Sequence, residues 1–308
     1  MNRLIQLSVT AYRARHAAGR YSCHMAIEVR GRRLSAESND ALRRAVHALE
    51  SERLISRLSE YASQPLDRIL SRLPRVATDT LNGAVRASLY KCLDVAVRSL
   101  GGDRPVRRSA PKPWLASTVA GLTGGIGGVF GFVALPIELP VTTTLMFRSI
   151  AQIARSQGED LTSLASRLAC MEVFALGPQH GGERVIHADA DIDVGYYAAR
   201  TLLTRLTNEA AILLLERGMA DASLPVVARL VAQISSRFGL VVSERIAAGA
   251  VPVLGAVSGA AVNALFMDHF QRLAQGHFTV RRLEREYGAP LVRERYAMLS
   301  QPYTRARA

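Results

Sequence analysis

Residues 113–137 read PWLASTVAGLTGGIGGVFGFVALPI, an uncharged run with glycine at 121, 124, 125, 127, 128 and 131. Glycine has no Cβ, so helices carrying it one turn apart, as at Gly121/Gly125, Gly124/Gly128 and Gly127/Gly131, can approach almost backbone to backbone. A second run at residues 246–267, IAAGAVPVLGAVSGAAVNALFM, is also uncharged and repeats the spacing at Gly255/Gly259. Working outward from this pair, the expected fold is all-α. It is a multi-helix bundle in which the two glycine-rich apolar segments lie side by side at the centre. The residues expected to make that packing are Gly121, Gly124, Gly125, Gly128, Gly131, Gly255 and Gly259.

Each run is long enough to cross a bilayer, for which about 20 predominantly apolar residues suffice. The same spacing also permits a tight crossing inside a soluble bundle, so spanning, interfacial association and burial all stay open. A mean hydropathy of only +0.10 weighs against full insertion. A charge at the centre of a membrane helix costs about 2.5–3.5 kcal/mol on insertion scales, so Glu138 is expected at the end of any span.

The rest of the chain supplies helices. Ser38, Asn39 and Asp40 are good N-cap residues before the stripe Leu42, Val46, Leu49, and a further helix is expected over about 78–100. Pro136 and Pro140 predict a break before a helix over about 141–156. Asp160 is expected to cap a helix over 161–175 that Gly177-Pro178 stops. Helices over about 194–217 and 224–238 are expected to end at Gly218 and Gly239. The second apolar run leads into a helix ending near Gly276, and two short basic helices follow, over 278–287 and 290–299. Residues 1–38 contain short strand-like runs and are expected to form a hairpin or an arm outside the helical domain, which covers 39–300. A basic tail, 301–308, follows.

At 308 residues and 49% hydrophobic, the chain has ample material for a buried core. Its net charge of +13 comes almost wholly from arginine and gathers at the two ends and in Arg104, Arg107, Arg108 and Lys112. That last patch precedes the first apolar run, where a contact with anionic lipid or a positive-inside anchor would place it. The bland alternative is a solvated surface with a G+C-rich bacterial coding bias behind the arginines. Three widely spaced cysteines form no framework, and no signal peptide is visible, so the cytoplasmic side is expected. Charge alone, with a single tryptophan and no known module, does not make nucleic acid an expected partner.

Candidate chemistry is sparse. Glu138 sits between prolines in an apolar setting, with Arg148 and Arg155 on the next helix, and reads as a structural ion pair or as an acid of raised pKa. Asp268 and His269, with Asn263, close the second apolar run, and His269 and His277 are two turns apart. No metal site follows, because no further ligand is at hand. The carboxylates of 187–193 read as a solvated loop with Asp193 capping a helix, and Cys170 as an inert buried thiol. No phosphate-binding, dinucleotide or nucleophile-elbow motif is present, and no cofactor is implied.

Taken together, residues 115–161, then RLACMEVFALG at 167–177, then 230–288 from LVAQISSRFG to RRLEREYG, resemble the EcsC protein family in several separated blocks in family order, over roughly 40–296. The resemblance implies an α-helical bacterial protein associated with the inner membrane, peripherally or integrally. Its implied role is accessory, in transport or envelope processes beside a membrane-protein partner such as a transporter, and it leans away from an enzyme. The competing expectation is a soluble hydrolase or small-ligand-binding bundle with a polar site of Glu138, Arg148, Asp268 and His269.

Overall fold

The computed structural model describes residues 33–50, 75–98, 135–177, 195–217, 224–249 and 255–305. Among these, every regular element is helical: α1 (Ala36–Glu50), α2 (Arg75–Arg98), α3 (Leu135–Ser156), α4 (Leu164–Glu172) continuing as a 3₁₀ turn (Val173–Ala175), α5 (Tyr196–Arg217), α6 (Pro225–Gly249), α7 (Gly255–Tyr287) and α8 (Ala289–Arg305). The all-α expectation holds. Of the hairpin or arm expected over 1–38, residues up to 32 lie outside the described residues, while Ala36–Ser38 form the start of α1; the first glycine-rich segment up to residue 134 also lies outside them.

The hub is α7. It packs on α1 most extensively and also on α3, α8 and α6, while α2 lies against α3 and α6. The segment from Leu168 to Ala175 is almost wholly buried in the middle, touching α2, α3, α5 and α6. Aromatic rings fill the core beside it. Phe174 meets Phe238 and Phe270 at ring-centroid distances of 4.9 and 5.3 Å, and Phe266 meets Phe270 edge to face at 5.3 Å. Such pairs each add about 0.5–1.5 kcal/mol beyond area burial.

Several helix ends differ from the sequence reading, each for a physical reason. Ser35 caps α1, its hydroxyl accepting from Ser38 N–H at 3.1 Å, while Asn39 is left to accept from Arg295 at 2.8 Å. Asp160 makes a local turn instead of capping: its carboxylate accepts from both the N–H and the hydroxyl of Thr162, and Ser163 precedes α4. Helix α3 starts six residues before the expected point and runs through Pro140. Pro136 falls in the first turn, where no donor is missed, and Pro140 loses one backbone bond while fully buried Leu139 anchors the same turn. Helix α6 continues through Gly239 to Gly249, because buried Phe238, Val242 and Ala247 outweigh the ~1 kcal/mol that a mid-helix glycine costs.

Gly276 likewise does not end a helix; it lies within α7, where a Cβ would come within 2.9 Å of Leu49 Cγ and 3.1 Å of the Ala45 carbonyl oxygen. A close backbone approach of the kind expected of the glycine-rich runs is therefore found here, between α7 and α1. Of those runs, Gly255 and Gly259 lie in the first two turns of α7. Gly121, Gly124, Gly125, Gly128 and Gly131 are outside the described residues.

Candidate functional site

Glu138 projects from the first turn of α3, and its partner is Arg245 near the end of α6, not Arg148 or Arg155. The Arg245 guanidinium donates through Nη2 to Glu138 Oε1 and through Nε to Asn263 Oδ1, the latter at 2.7 Å. It also lies over the Phe266 ring, 5.4 Å from its centroid. Both charged side chains are buried, at 7% and 10% exposure, so water cannot screen the pair. The positions in sequence give the junction its meaning. Glu138 immediately follows the first uncharged run, Arg245 immediately precedes the second, and Asn263 lies inside it. The flanks of the two runs therefore meet, and the sole charged residue between Lys112 and Arg148 is neutralised there.

The other residues expected to share a site with Glu138 do not converge on it. Arg148 is exposed, nearly three turns further along α3. Asp268 pairs with Arg272 one turn along α7 at 2.8 Å, on the surface. His269 is buried edge-on against Phe270, at 5.1 Å between ring centroids. His277 donates to or accepts from Tyr196 through Nδ1, and no cluster of three metal-ligating side chains occurs among the described residues. Cys170 is buried and bonded to Ser166 O, and burial raises its thiol well above the usual range. Arg104, Arg107, Arg108, Lys112 and the 187–193 loop lie outside the described residues.

A second polar centre, which the sequence reading missed, lies between α4, α5 and α7. Glu172 is fully buried within an apolar run and accepts from the Thr204 hydroxyl at 3.2 Å. The Thr207 hydroxyl lies beside the carboxyl without reaching hydrogen-bonding geometry, so Glu172 Oε1 and Thr207 Oγ1 are both unpartnered. Burial pushes the Glu172 carboxyl up to about 7, a rise moderated by Thr207, by the charges of Arg281 and Arg200, and by Thr204. The two arginines are already committed. Arg200 grips Glu284 through two bonds of 2.9 and 2.6 Å, and Arg281 grips Glu159 through two of 2.8 and 2.9 Å. Burial alone would raise the Glu159 carboxyl, but Arg281 and Arg285 outweigh it and hold it low.

Around this centre, Tyr196 OH shares a hydrogen bond of 2.9 Å with His277 Nδ1, while His277 Nε2 has no partner. Burial, reinforced by Arg200 and Arg281, holds His277 well below its usual range, so the ring is neutral. Tyr296 stacks on Tyr196 and donates to buried Glu50 at 3.0 Å. Glu50 also accepts from the Tyr196 N–H, and Gly195, at φ +65°, makes room for it: a Cβ there would lie 2.8 Å from Glu50 Oε1. A signal for this centre was present in the sequence, because Glu172 is the only charged residue between Arg167 and Glu183. That is the same kind of isolation that drew attention to Glu138.

One helix among the described residues, Pro225–Ala248 of α6, is long and apolar enough to cross a membrane by length and composition. Of its apolar window, 44% is buried within the protein. In comparisons with known proteins, no curated protein and no solved structure matches the chain. The profile described as the EcsC protein family matches residues 106–283, more than half the chain, and that span takes in both uncharged runs, the Glu138–Arg245 junction and Glu172. The chain belongs to the EcsC protein family.

Proposed function

We propose that the protein is a non-enzymatic, membrane-associated member of its family that works at an anionic lipid surface on the cytoplasmic side, in an accessory role beside membrane proteins. The observation that carries this reading is the junction of Glu138, Arg245 and Asn263. It gathers the flanks of two long uncharged segments at one place in the helical body and pairs the Glu138 carboxylate with Arg245 there. A net charge of +13 supplies the complementary attraction, worth about 1 kcal/mol per basic residue held near an anionic membrane.

The test is co-sedimentation of the full chain with vesicles of phosphatidylcholine containing 30–40% phosphatidylglycerol, on the order of the anionic content that gives a strongly negative surface. Binding is expected that weakens between low and high salt, as the Debye length shortens from about 30 Å at 0.01 M to 8 Å at 0.15 M. Equal recovery in the supernatant with and without these vesicles rejects the reading. A carbonate wash of membranes from cells then separates peripheral from integral association.

A further inference from the structure

The outward face of α3 is graded along its length. Ile137, Val141, Thr144, Arg148, Gln152 and Arg155 follow one another at helical spacing, and of these only Thr144 is half-buried rather than exposed. Ile137 is 78% exposed and Val141 47%, unusual for branched aliphatic side chains on a helix whose other side is packed against α2 and α7. Arg148 and Arg155 make no ion pair among the described residues. The apolar end of the stripe continues directly from an uncharged run of more than 20 residues, and the basic end points away from it.

We infer that this face is the lipid-docking surface, with α3 tilted into an anionic bilayer N-terminal end first, Ile137 deepest and Arg148 at the phosphates. The inference rests on the membrane reading above and adds the surface, the orientation and the depth. At 1.5 Å per residue, Arg148 stands ~16 Å above Ile137 along the helix axis, close to half the ~30 Å hydrocarbon thickness. Arg155 stands a further ~10 Å out, beyond the phosphates in the aqueous layer. A helix lying flat in the interface would carry its apolar stripe along its whole length. Here it stops within two turns and gives way to arginines, whose stems tolerate the boundary while their guanidiniums take phosphate oxygens. In the same turn Glu138 is paired with Arg245, so the deepest part of α3 presents no net charge.

The test places an environment-sensitive fluorophore on V141C or Q152C in the full chain with C23S. Cys92 and Cys170 are buried and react slowly. With the anionic vesicles, the label at 141 is expected to shift to the blue and to be quenched by nitroxides on the acyl chains. The label at 152 is expected to respond only to headgroup nitroxides. In unlabelled protein, I137D/V141D is expected to lower the vesicle partition coefficient about 100-fold, with the circular dichroism spectrum unchanged. Protein that sediments with vesicles while the label at 141 stays aqueous, or while 152 reports greater depth, overturns the docking face and leaves the membrane reading standing. A label at 141 that is already blue-shifted without vesicles identifies another occupant of the stripe, such as a second copy, and overturns it equally. Failure to sediment overturns both.

Discussion

Glu172 is a carboxyl without a cation of its own. Its neighbours Arg200 and Arg281 are each bound bidentately to another carboxylate, so ionising Glu172 would place a charge in the core that no arginine is free to meet. Its folded-state pKa, about 7, lies above the value of 4.5 from which it is raised. The stabilising proton is therefore fully bound below pH 4.5 and is lost as pH rises through 7. Stability from this group falls across that window by roughly 3 kcal/mol and is level above it. His277 acts in the opposite sense. Its folded pKa is depressed, so it favours the fold above 6.5 and weakens it as pH falls. Glu172→Gln isolates the first effect. The unfolding free energy of the variant minus that of the natural protein, from denaturant titrations at pH 5 and pH 8, is expected to become more positive at the higher pH. An identical difference at both values contradicts a neutral Glu172. A second residue-scale prediction concerns Gly276, where alanine gains helix propensity of up to ~1 kcal/mol but drives a methyl against the Ala45 carbonyl and Leu49. Overpacking of this kind costs about 1–3 kcal/mol, so Gly276→Ala is expected to lower the denaturation midpoint.

At the scale of elements, α3, α6 and α7 are tied at one end by Arg245, and breaking that tie differs from removing it. Arg245→Met leaves the Glu138 carboxylate buried and alone, which typically costs about 3–5 kcal/mol. The double variant E138Q/R245M removes both charges, and apolar replacement of a buried pair is often neutral or stabilising. Denaturant titration of the four proteins in the cycle is expected to give a coupling above ~2 kcal/mol, with the double variant recovering at least half the loss. Additive effects would mean the pair has no energetic reality. The elements also show what was legible in the sequence. The helices themselves were, because stripes such as Leu42, Val46 and Leu49 at helical spacing are written locally and are buried as read. Helix ends were less so. Gly239 and Gly276 carry the local mark of a stop, yet packing partners far along the chain carry both helices through. Glu138 could be singled out as an isolated carboxylate, but its partner is 107 residues away, on a helix that no spacing rule connects to it. Glu172 bore the same mark of isolation, and its significance depends on Thr204, Arg200 and Arg281 arriving from two other helices.

For the whole molecule, the described helices separate two kinds of territory. A polar centre of tyrosines, histidine and paired charges lies among α1, α4, α5, α7 and α8. The junction of uncharged segments lies where α3 starts, α6 ends and α7 begins. On the proposed membrane reading, the basic ends and the arginines on the outer face of α3 supply attraction to an anionic surface, and the junction of the uncharged segments supplies what lies beneath it. On this arrangement, salt is expected to weaken vesicle recruitment, whereas the I137D/V141D change should weaken it at every salt concentration. Co-sedimentation across a salt series separates the two contributions.

One unbroken rod, α7, reaches from Asn263 in the junction to His277, Arg281 and Glu284 in the polar centre, ~30 Å along its axis. No proline interrupts it, and Gly276, the one glycine between the two ends, is held tightly against Leu49 and the Ala45 carbonyl. A tilt of its Asn263 end is therefore expected to shift Arg281 against Glu159 at the other, gearing the surroundings of the Glu172 proton to the junction.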